Sequence, residues 1–138
     1  MPPEPLLTPE GLAFVTDYRL ATLTTLRRDG SPHVVPVGFT FEATGEQSGV
    51  VRVITNGPSQ KVLNVRRDGR VAVSQLDGPR WLTLSGTARI LEQPGEVQDA
   101  VARYAARYRA PRVNPLRVVI AFEVERAMGS AAFLTAKA

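Results

Sequence analysis

Apolar and polar residues alternate most regularly between Leu20 and Phe41, and this pattern predicts a β-hairpin. Residues 28–30, Arg-Asp-Gly, supply its turn, because Asp bonds its own backbone and Gly accepts a positive φ. In the second strand every other residue is apolar or His, and these residues share one face: His33, Val35, Val37, Phe39 and Phe41. We therefore expect a strand with one buried face.

The opposite face of this strand carries Pro36 and Gly38. Pro36 has no N–H to donate to a neighbouring strand, so the sheet is predicted to be irregular there. Gly38 lets a flat group or another backbone approach closely. Two interpretations follow: the strand forms the wall of a ligand site, or it is an edge strand with a bulge.

Four further strands are predicted from β-branched or alternating segments, at residues 50–55, 70–76, 81–91 and 117–126. The 81–91 segment is long, and Gly86 allows it to bend. Residues 42–49 are polar and contain glycine, which indicates a loop between strands. The chain therefore has six predicted strands.

Two helices are predicted in the first half of the chain. Thr8 is a typical N-cap and Pro9 suits the first helical position, so a helix is expected from there to residues 17–19. Ser59 is expected to cap a second helix that runs to about residue 68. In that helix Val62 and Val65 point to the core, whereas the polar positions face outward: Gln60, Lys61, Asn64 and Arg67.

A third helix is predicted over residues 96–109, after the Pro94-Gly95 pair. Its apolar stripe is formed by Val97, Val101, Tyr104 and Tyr108. Three arginines extend from this stripe: Arg103, Arg107 and Arg109. The interpretation without a functional role is that the tyrosines are core residues and the arginines are solvated.

Six strands, few helices and short turns favour a small antiparallel barrel. The helices do not alternate regularly with the strands, which disfavours a doubly wound fold. No GxGxxG motif follows a strand, so a Rossmann site is excluded. We expect one domain over residues 1–138, with the Pro-rich residues 1–7 flexible.

The composition narrows the possible chemistry. The 138-residue chain has no Cys, which excludes disulfides and thiol catalysis, and its single His33 argues against a His-based zinc site or a Ser-His-Asp triad. No metal site is expected. No apolar run approaches the ~20 residues that span a bilayer, and no signal-peptide pattern is present, so a cytoplasmic protein is expected.

The net charge of +4 comes almost entirely from arginine, since lysine occurs only at Lys61 and Lys137. The arginines are scattered and are not interleaved with aromatics. Such a distribution fits a small anionic ligand better than nucleic acid. A merely solvated surface is the alternative for most of them.

The clearest candidate for anion binding lies between Thr55 and Lys61, where a strand leads into a helix. Backbone N–H groups are free at a helix N-terminus, and Lys61 in the first turn opposes the helix dipole. A bound anion would remove that conflict. The alternative is a capped surface helix without a ligand.

Several motifs resemble the split β-barrel flavin and deazaflavin oxidoreductases, the pyridoxamine-phosphate-oxidase-like superfamily. They are RDGSPHVVPVGF at 28–39, Thr55, SQKVLN at 59–64, WLTLSG at 81–86, and residues 103–119. The resemblance spans nearly the whole chain. It is strongest to the short branch that uses the deazaflavin coenzyme F420, and in particular to its biliverdin-reducing members.

This resemblance implies a mainly β protein, a six-stranded split barrel of the FMN-binding type. It also implies a homodimer with the cofactor in a groove between subunits, the ring lying against residues 34–38. The implied cofactor-binding residues are Val34, Pro36, Val37, Gly38, Thr55, Asn56, Ser59, Gln60, Lys61, Ser74, Gln75, Arg80 and Trp81. The expected cofactor is F420, with FMN as the alternative.

The chain departs from pyridoxamine phosphate oxidase itself, because no His follows His33 and the Arg-x-His substrate signature is therefore absent. Vitamin B6 oxidation is not expected, and His33 in the inward pattern disfavours haem degradation. No catalytic side chain is predicted, so the cofactor carries the chemistry. The expected acceptor is a flat conjugated anion, biliverdin being the leading case, with Arg80, Arg112 and Arg126 as candidate contacts. The alternative from a different functional class is a non-catalytic protein that binds the cofactor.

Overall fold

The computed structural model of the chain describes residues 4–135. Over this range the chain forms three α-helices, eight β-strands and one short 3₁₀ helix. In chain order they are α1 (Pro9–Phe14), β1 (Ala21–Leu26), β2 (Pro32–Val37), β3 (Thr40–Gly45), β4 (Ser48–Asn56), α2 (Gln60–Arg67), β5 (Arg70–Asp77), β6 (Arg80–Leu91), α3 (Pro94–Arg107), β7 (Arg117–Glu123), β8 (Arg126–Gly129) and the 3₁₀ helix (Ala131–Phe133).

The strands form one antiparallel sheet in the order β2-β1-β5-β6-β7-β4-β3, and β8 pairs with β6. The long strand β6 joins the two halves of the sheet. Its first part pairs with β5 and β8, whereas Ala88–Leu91 pairs with β7. A side chain at Gly86 would collide with the carbonyl oxygen of Glu123, so this close approach requires glycine. The predicted mainly β split barrel is confirmed, with eight strands rather than six.

Both halves of the sheet contribute to one hydrophobic core. The alternation predicted from the sequence directs Leu23 of β1, Val53 of β4 and Leu84 of β6 inward, and each is at most 1% exposed. A smaller cluster under α3 contains Ala100, Val119 and Ala121. Strand β7 is therefore buried on both faces, which explains its nearly continuous apolar sequence.

The predicted loop at residues 42–49 is wrong. These residues belong to a hairpin of β3 and β4, with a turn at Gln47, whose φ is +52°, and a bulge after Ala43. The segment is polar because the end of β3 is an exposed sheet edge. The polar composition indicated exposure to solvent, and both loops and edge strands are exposed, so it did not distinguish between them.

The predicted second strand of the first hairpin is also shorter than expected. It ends at Val37, and Gly38 and Phe39 form a crossover that carries the chain to β3, at the other end of the sheet order. Its inward face is confirmed, since Val37 and Phe39 are buried. The outward positions Val34 and Pro36 are exposed.

Residues 4–7, part of the segment that was predicted to be flexible, pack against residues 134 and 135 in the structure. Leu7 is 4% exposed and forms a bridge with Leu134. The side chain of Gln47 donates hydrogen bonds to the carbonyl oxygens of Glu4 and Pro5, at 3.3 and 3.1 Å. Residues 4–7 are thus held by distant partners, and residues 1–3 lie outside the described range.

The helices differ in detail from prediction. The N-cap at Thr8 is confirmed, because its side chain accepts a hydrogen bond from the Gly11 N–H at 3.1 Å, but α1 ends at Phe14. Asn64 was expected to face outward and is instead fully buried, donating to the Thr25 hydroxyl at 3.0 Å. Within residues 4–135, no helix has the length and apolar character needed to cross a membrane.

Candidate functional site

A cleft of about 270 Å³ lies where the end of β2, the end of β4, the start of α2 and the C-terminal half of α3 meet. We call it the cationic cleft. Its lining residues are Pro36, Val37, Gly38, Ile54, Thr55, Asn56, Lys61, Tyr104, Pro111, Asn114 and Arg117. The fold thus brings the Pro36–Gly38 segment and the Thr55–Lys61 turn, predicted separately, into one site.

Pro36, Val37 and Gly38 form one wall of the cationic cleft. A Cβ atom at Gly38 would lie only 2.9 Å from a ring carbon of Tyr108 and 3.0 Å from one of Tyr104. The flat groups that approach Gly38 are therefore these two tyrosine rings, which contact each other in a tilted arrangement with centroids 4.9 Å apart. Glycine at this position lets Tyr104 and Tyr108 pack closely against the wall.

The other end of the cleft is positively charged. Lys61 is half-buried and forms no ion pair with any residue in the described range, and its burial lowers its pKa. Arg117 lies in the same cleft and donates a hydrogen bond to the carbonyl oxygen of Arg112 at 2.6 Å. No carboxylate lines the cleft among residues 4–135. Two cations without a local counter-charge make this end suitable for an anion.

The start of α2 lies beside these cations and is not capped by the protein. Ser59 is at the N-cap position but its side chain makes no capping bond, and no acidic residue occupies the first turn. The Ser59 hydroxyl oxygen is buried without a hydrogen-bond partner in the described part of the chain. A buried hydroxyl of this kind normally has a partner, so this helix start is suited to a bound anion.

Gln75 does not fit its predicted role. It is 1% exposed and its side chain is used inside the protein, donating to the Phe14 carbonyl at 2.6 Å and accepting from Arg107 at 2.7 Å. Its partners come from α1 and α3, which lie far from it in the sequence. The predicted contact between this side chain and a cofactor is therefore corrected.

Two further residues that were predicted to contact the cofactor, Gln60 and Arg80, do not line the cationic cleft. Gln60 donates to the Asn64 side chain at 2.8 Å and lines a shallow depression with Arg27 and Arg28, outside the cationic cleft. Arg80, at the start of β6, forms an ion pair with Asp77 at 2.8 Å.

Other predicted residues lie on the outer face of β2, β1, β5, β6 and β8, which we call the open sheet face. Strand pairing aligns Pro36, Thr22, Ser74, Thr83 and Met128 in one row, and Val34, Thr24, Ala72, Ser85 and Arg126 in the next. Trp81 lies on the same face and is 38% exposed. The charged residues of the open sheet face in β5 and β8 are Arg70 and Arg126, which lie towards one border. Pro36 belongs both to this face and to the cationic cleft.

Sequence reasoning missed three polar residues of the cationic cleft. Tyr104 was assigned to an apolar stripe and Arg117 to the start of a strand, and both descriptions are correct locally. Asn114 donates to the Asn56 side chain at 3.1 Å, which joins the loop after α3 to the end of β4. These positions come together through tertiary packing, and no local signal marks them.

A larger cleft of about 430 Å³ lies at the N-terminal end of α3, and we call it the paired cleft. It contains Arg52 and Arg89 together with four carboxylates: Glu96, Asp99, Glu123 and Glu125. Arg52 pairs with Glu42 at 2.9 Å, and Arg103 pairs with both Glu42 and Asp99. Among the described residues, no group of His, Cys, Asp and Glu has an arrangement that would hold a metal ion.

Comparison with known proteins identifies the family. A family model described as pyridoxamine 5′-phosphate oxidase matches residues 7–130. A relative named F420H2-dependent biliverdin reductase, from Mycobacterium tuberculosis, is 52% identical over 128 residues, covering 93% of this chain and 91% of the relative. The chain belongs to the pyridoxamine 5′-phosphate oxidase family. The predicted superfamily is thereby confirmed.

Solved structures of the pyridoxamine 5′-phosphate oxidase fold agree with this assignment. A conserved hypothetical protein of M. tuberculosis superposes with a TM-score of 0.71 and 27% identity, covering 87% of this chain and 81% of that protein. A protein described as an F420 reductase gives a TM-score of 0.69 at 24% identity, covering 88% and 98%. The second likeness supports the fold alone.

Proposed function

We propose that the protein is an oxidoreductase that uses reduced coenzyme F420 as hydride donor and reduces a conjugated acceptor, with biliverdin as the substrate. The observation that carries this proposal is the cationic cleft: Lys61, Arg117 and the uncapped start of α2 lie beside the Pro36–Gly38 wall. The 52% identical relative named F420H2-dependent biliverdin reductase supports the choice of cofactor and acceptor. We also retain the expectation of a cytoplasmic location.

The residues of the cleft divide the work of binding. Lys61, Arg117 and the N–H groups at the start of α2 would hold a phosphate, and the Ser59 hydroxyl would gain the partner it lacks. Thr55 and Asn56 would contact the polar part of the cofactor between its ring and its phosphate. The bound reduced deazaflavin supplies a hydride, which the protein itself has no group to provide. The protein binds and orients it, with the Pro36–Gly38 backbone as the wall for its ring.

A second copy of the chain would complete this site. The open sheet face exposes apolar side chains that a lone subunit leaves in water, including Val34 at 54%, Leu76 at 64% and Met128 at 50%. The rows of this face from Val34 to Leu76 contain only Arg126 as a charged residue, and the face borders the cationic cleft at Pro36. Packing two such faces together would bury these side chains and enclose the cofactor, so we propose a homodimer.

The acceptor would be held beyond the wall by arginine. Arg112 and Arg126 are exposed and form no ion pair with residues 4–135, so they are free to bind the two propionates of biliverdin. Arg80 is less available because it pairs with Asp77 and lies over the Phe14 ring, with its Cζ atom 5.5 Å from the centroid. The hydride comes from the cofactor and the balancing proton from solvent.

The test is a pair of titrations followed by turnover. Fluorescence titration of the purified protein with F420 and with FMN should show tighter binding of F420. Reduced F420 and biliverdin should then give bilirubin. Tight FMN binding without F420 binding would favour the alternative of an FMN-dependent flavoprotein. Binding of F420 with no turnover of tetrapyrroles, quinones or enones would favour a non-catalytic binding protein.

A further inference from the structure

Arg107, at the end of α3, is buried without a carboxylate partner. It is 9% exposed, and no acidic side chain among residues 4–135 lies within ion-pair distance of it. Its guanidinium donates to the Asp17 carbonyl at 2.9 Å, the Phe39 carbonyl at 2.6 Å and the Gln75 side chain at 2.7 Å. Its Cζ atom also lies 4.7 Å from the Phe39 ring centroid. The charge is thus stabilised by neutral groups from three distant segments.

The next residue, Tyr108, holds the same segment through its hydroxyl. The hydroxyl donates to the Arg19 carbonyl at 2.6 Å and accepts from the Phe39 N–H at 3.3 Å. Burial raises the pKa of Tyr108, so the phenol stays protonated at neutral pH. Arg107 and Tyr108 therefore hold both polar groups of the Phe39 backbone.

Phe39 lies at a point where the sheet gives no support. It is in the crossover between β2 and β3, and it has no strand partner. Buried backbone groups need partners, and here the side chains of Arg107 and Tyr108, at the C-terminal end of α3, supply them. Phe39 directly follows the Pro36–Gly38 wall of the cationic cleft. The position of that wall therefore depends on the end of α3.

We propose that Arg107 and Tyr108 are positioning residues that clamp the Phe39 crossover and thereby hold the Pro36–Gly38 wall in place against the bound cofactor. The inference rests on the proposed function for the identity of the cofactor. The clamp itself is a property of the ligand-free protein. The two parts can therefore be tested separately.

The clamp is tested first by amide hydrogen exchange of the ligand-free protein. Tyr108→Phe keeps the ring and removes only the hydroxyl, and it should speed exchange in residues 38–41 by about tenfold, the effect expected for one lost hydrogen bond. Arg107→Lys should do the same while keeping the charge. Arg109→Met is the matched control, because Arg109 is exposed on the same helix end, and it should leave exchange unchanged. Unchanged exchange in both clamp variants would overturn the proposal.

The second readout separates positioning from general stability. In Tyr108→Phe, kcat with reduced F420 should fall by about 10- to 100-fold, as for an ångström-scale misplacement, while the F420 Kd changes less than about threefold. Arg107→Lys should recover part of the activity lost in Arg107→Met. Equal losses in the Arg109→Met control, or faster exchange with unchanged kcat, would overturn the positioning role. Absence of F420 binding by the wild-type protein would instead reject the proposed function, and the exchange data would still decide the clamp.

Discussion

The two clefts at the ends of α3 differ in how their positive charges are matched. In the paired cleft, Arg52 lies 2.9 Å from a Glu42 oxygen and 3.9 Å from an Asp99 oxygen. In the cationic cleft, Lys61 and Arg117 are both lining residues, and no carboxylate is among the described residues that line this cleft. The paired cleft is the larger, about 430 against 270 Å³. Size alone would therefore not select the cationic cleft.

The two clefts contain two cations each, so they differ in the carboxylates around those cations and not in the number of positive charges. In the paired cleft region, Arg52 and Arg103 form ion pairs with Glu42 and Asp99, and the Asp99 hydrogen bond raises the pKa of Arg103. Arg89 forms no ion pair among residues 4–135, but it shares the cleft with four carboxylates. An external anion would have to compete with those carboxylates. In the cationic cleft Lys61 is half-buried and has no carboxylate partner among residues 4–135, so an anion would bind it without such competition. The proposed function depends on this contrast.

The largest expected effect comes from removing the unmatched cations. Lys61→Ala or Arg117→Ala should weaken F420 binding by ~1–3 kcal/mol each, the range for a lost charge-assisted hydrogen bond. Thermal stability should change little in Lys61→Ala, since a lysine at the start of a helix contributes little to folding. Arg52→Ala, in the paired cleft, is the control. Fluorescence titration measures all three, and equal affinity losses at Arg52 and Lys61 would break the comparison.

A matched pair of glycines tests the packing at the two ends of α3. Gly38→Ala places a methyl group 2.9 Å from the Tyr108 ring and should destabilise the fold by ~1–3 kcal/mol through overpacking. Gly95→Ala, in the paired cleft, meets no atom within 4 Å and should stabilise the protein by ~0.4–1 kcal/mol. Urea denaturation of both variants measures the two changes in the free energy of unfolding, which should have opposite signs. Equal stabilities would show that α3 does not press on the wall.

The desolvated lysine predicts a pH dependence of cofactor binding. Burial lowers the pKa of Lys61 below 10.5, so the free protein loses this charge at a lower pH than an exposed lysine does. Only the protonated form attracts a phosphate, so F420 affinity should be constant at neutral pH and fall as the pH rises through the lowered pKa. Lys61→Arg should abolish the fall, because arginine stays charged. An identical pH profile in that variant would assign the titration to another group.

The smallest effect is expected in the paired cleft. Glu42→Gln removes ion pairs with Arg52 and Arg103 whose side chains are partly exposed, and such pairs contribute ~0–1 kcal/mol each. The free energy of unfolding should therefore fall by ~2 kcal/mol or less, without a change in F420 affinity. Thermal unfolding and titration of the same sample measure both. A clear gain in anion binding at this cleft would mean that pairing alone keeps it from being a site.

Local sequence patterns were sufficient for the elements whose burial follows from their own periodicity. Alternation placed β1, the inner face of β2, and β6, because one face of each strand meets the core regardless of topology. The strand end and helix start between Thr55 and Lys61 were also predicted correctly, since they are consecutive in the chain. Local chemistry and chain order decide such features. That an anion binds between Thr55 and Lys61 stays a prediction.

The tertiary structure decided the features that depend on distant partners. Gln75 and Arg107 look like surface residues in sequence, but each supplies the hydrogen bond that makes the other's burial tolerable. Arg117 joins Lys61 only because β7 pairs with β4 along its whole length. Burial of a polar group requires a partner whose position the local sequence does not encode. The matched and unmatched charges that distinguish the two clefts were therefore set by the fold.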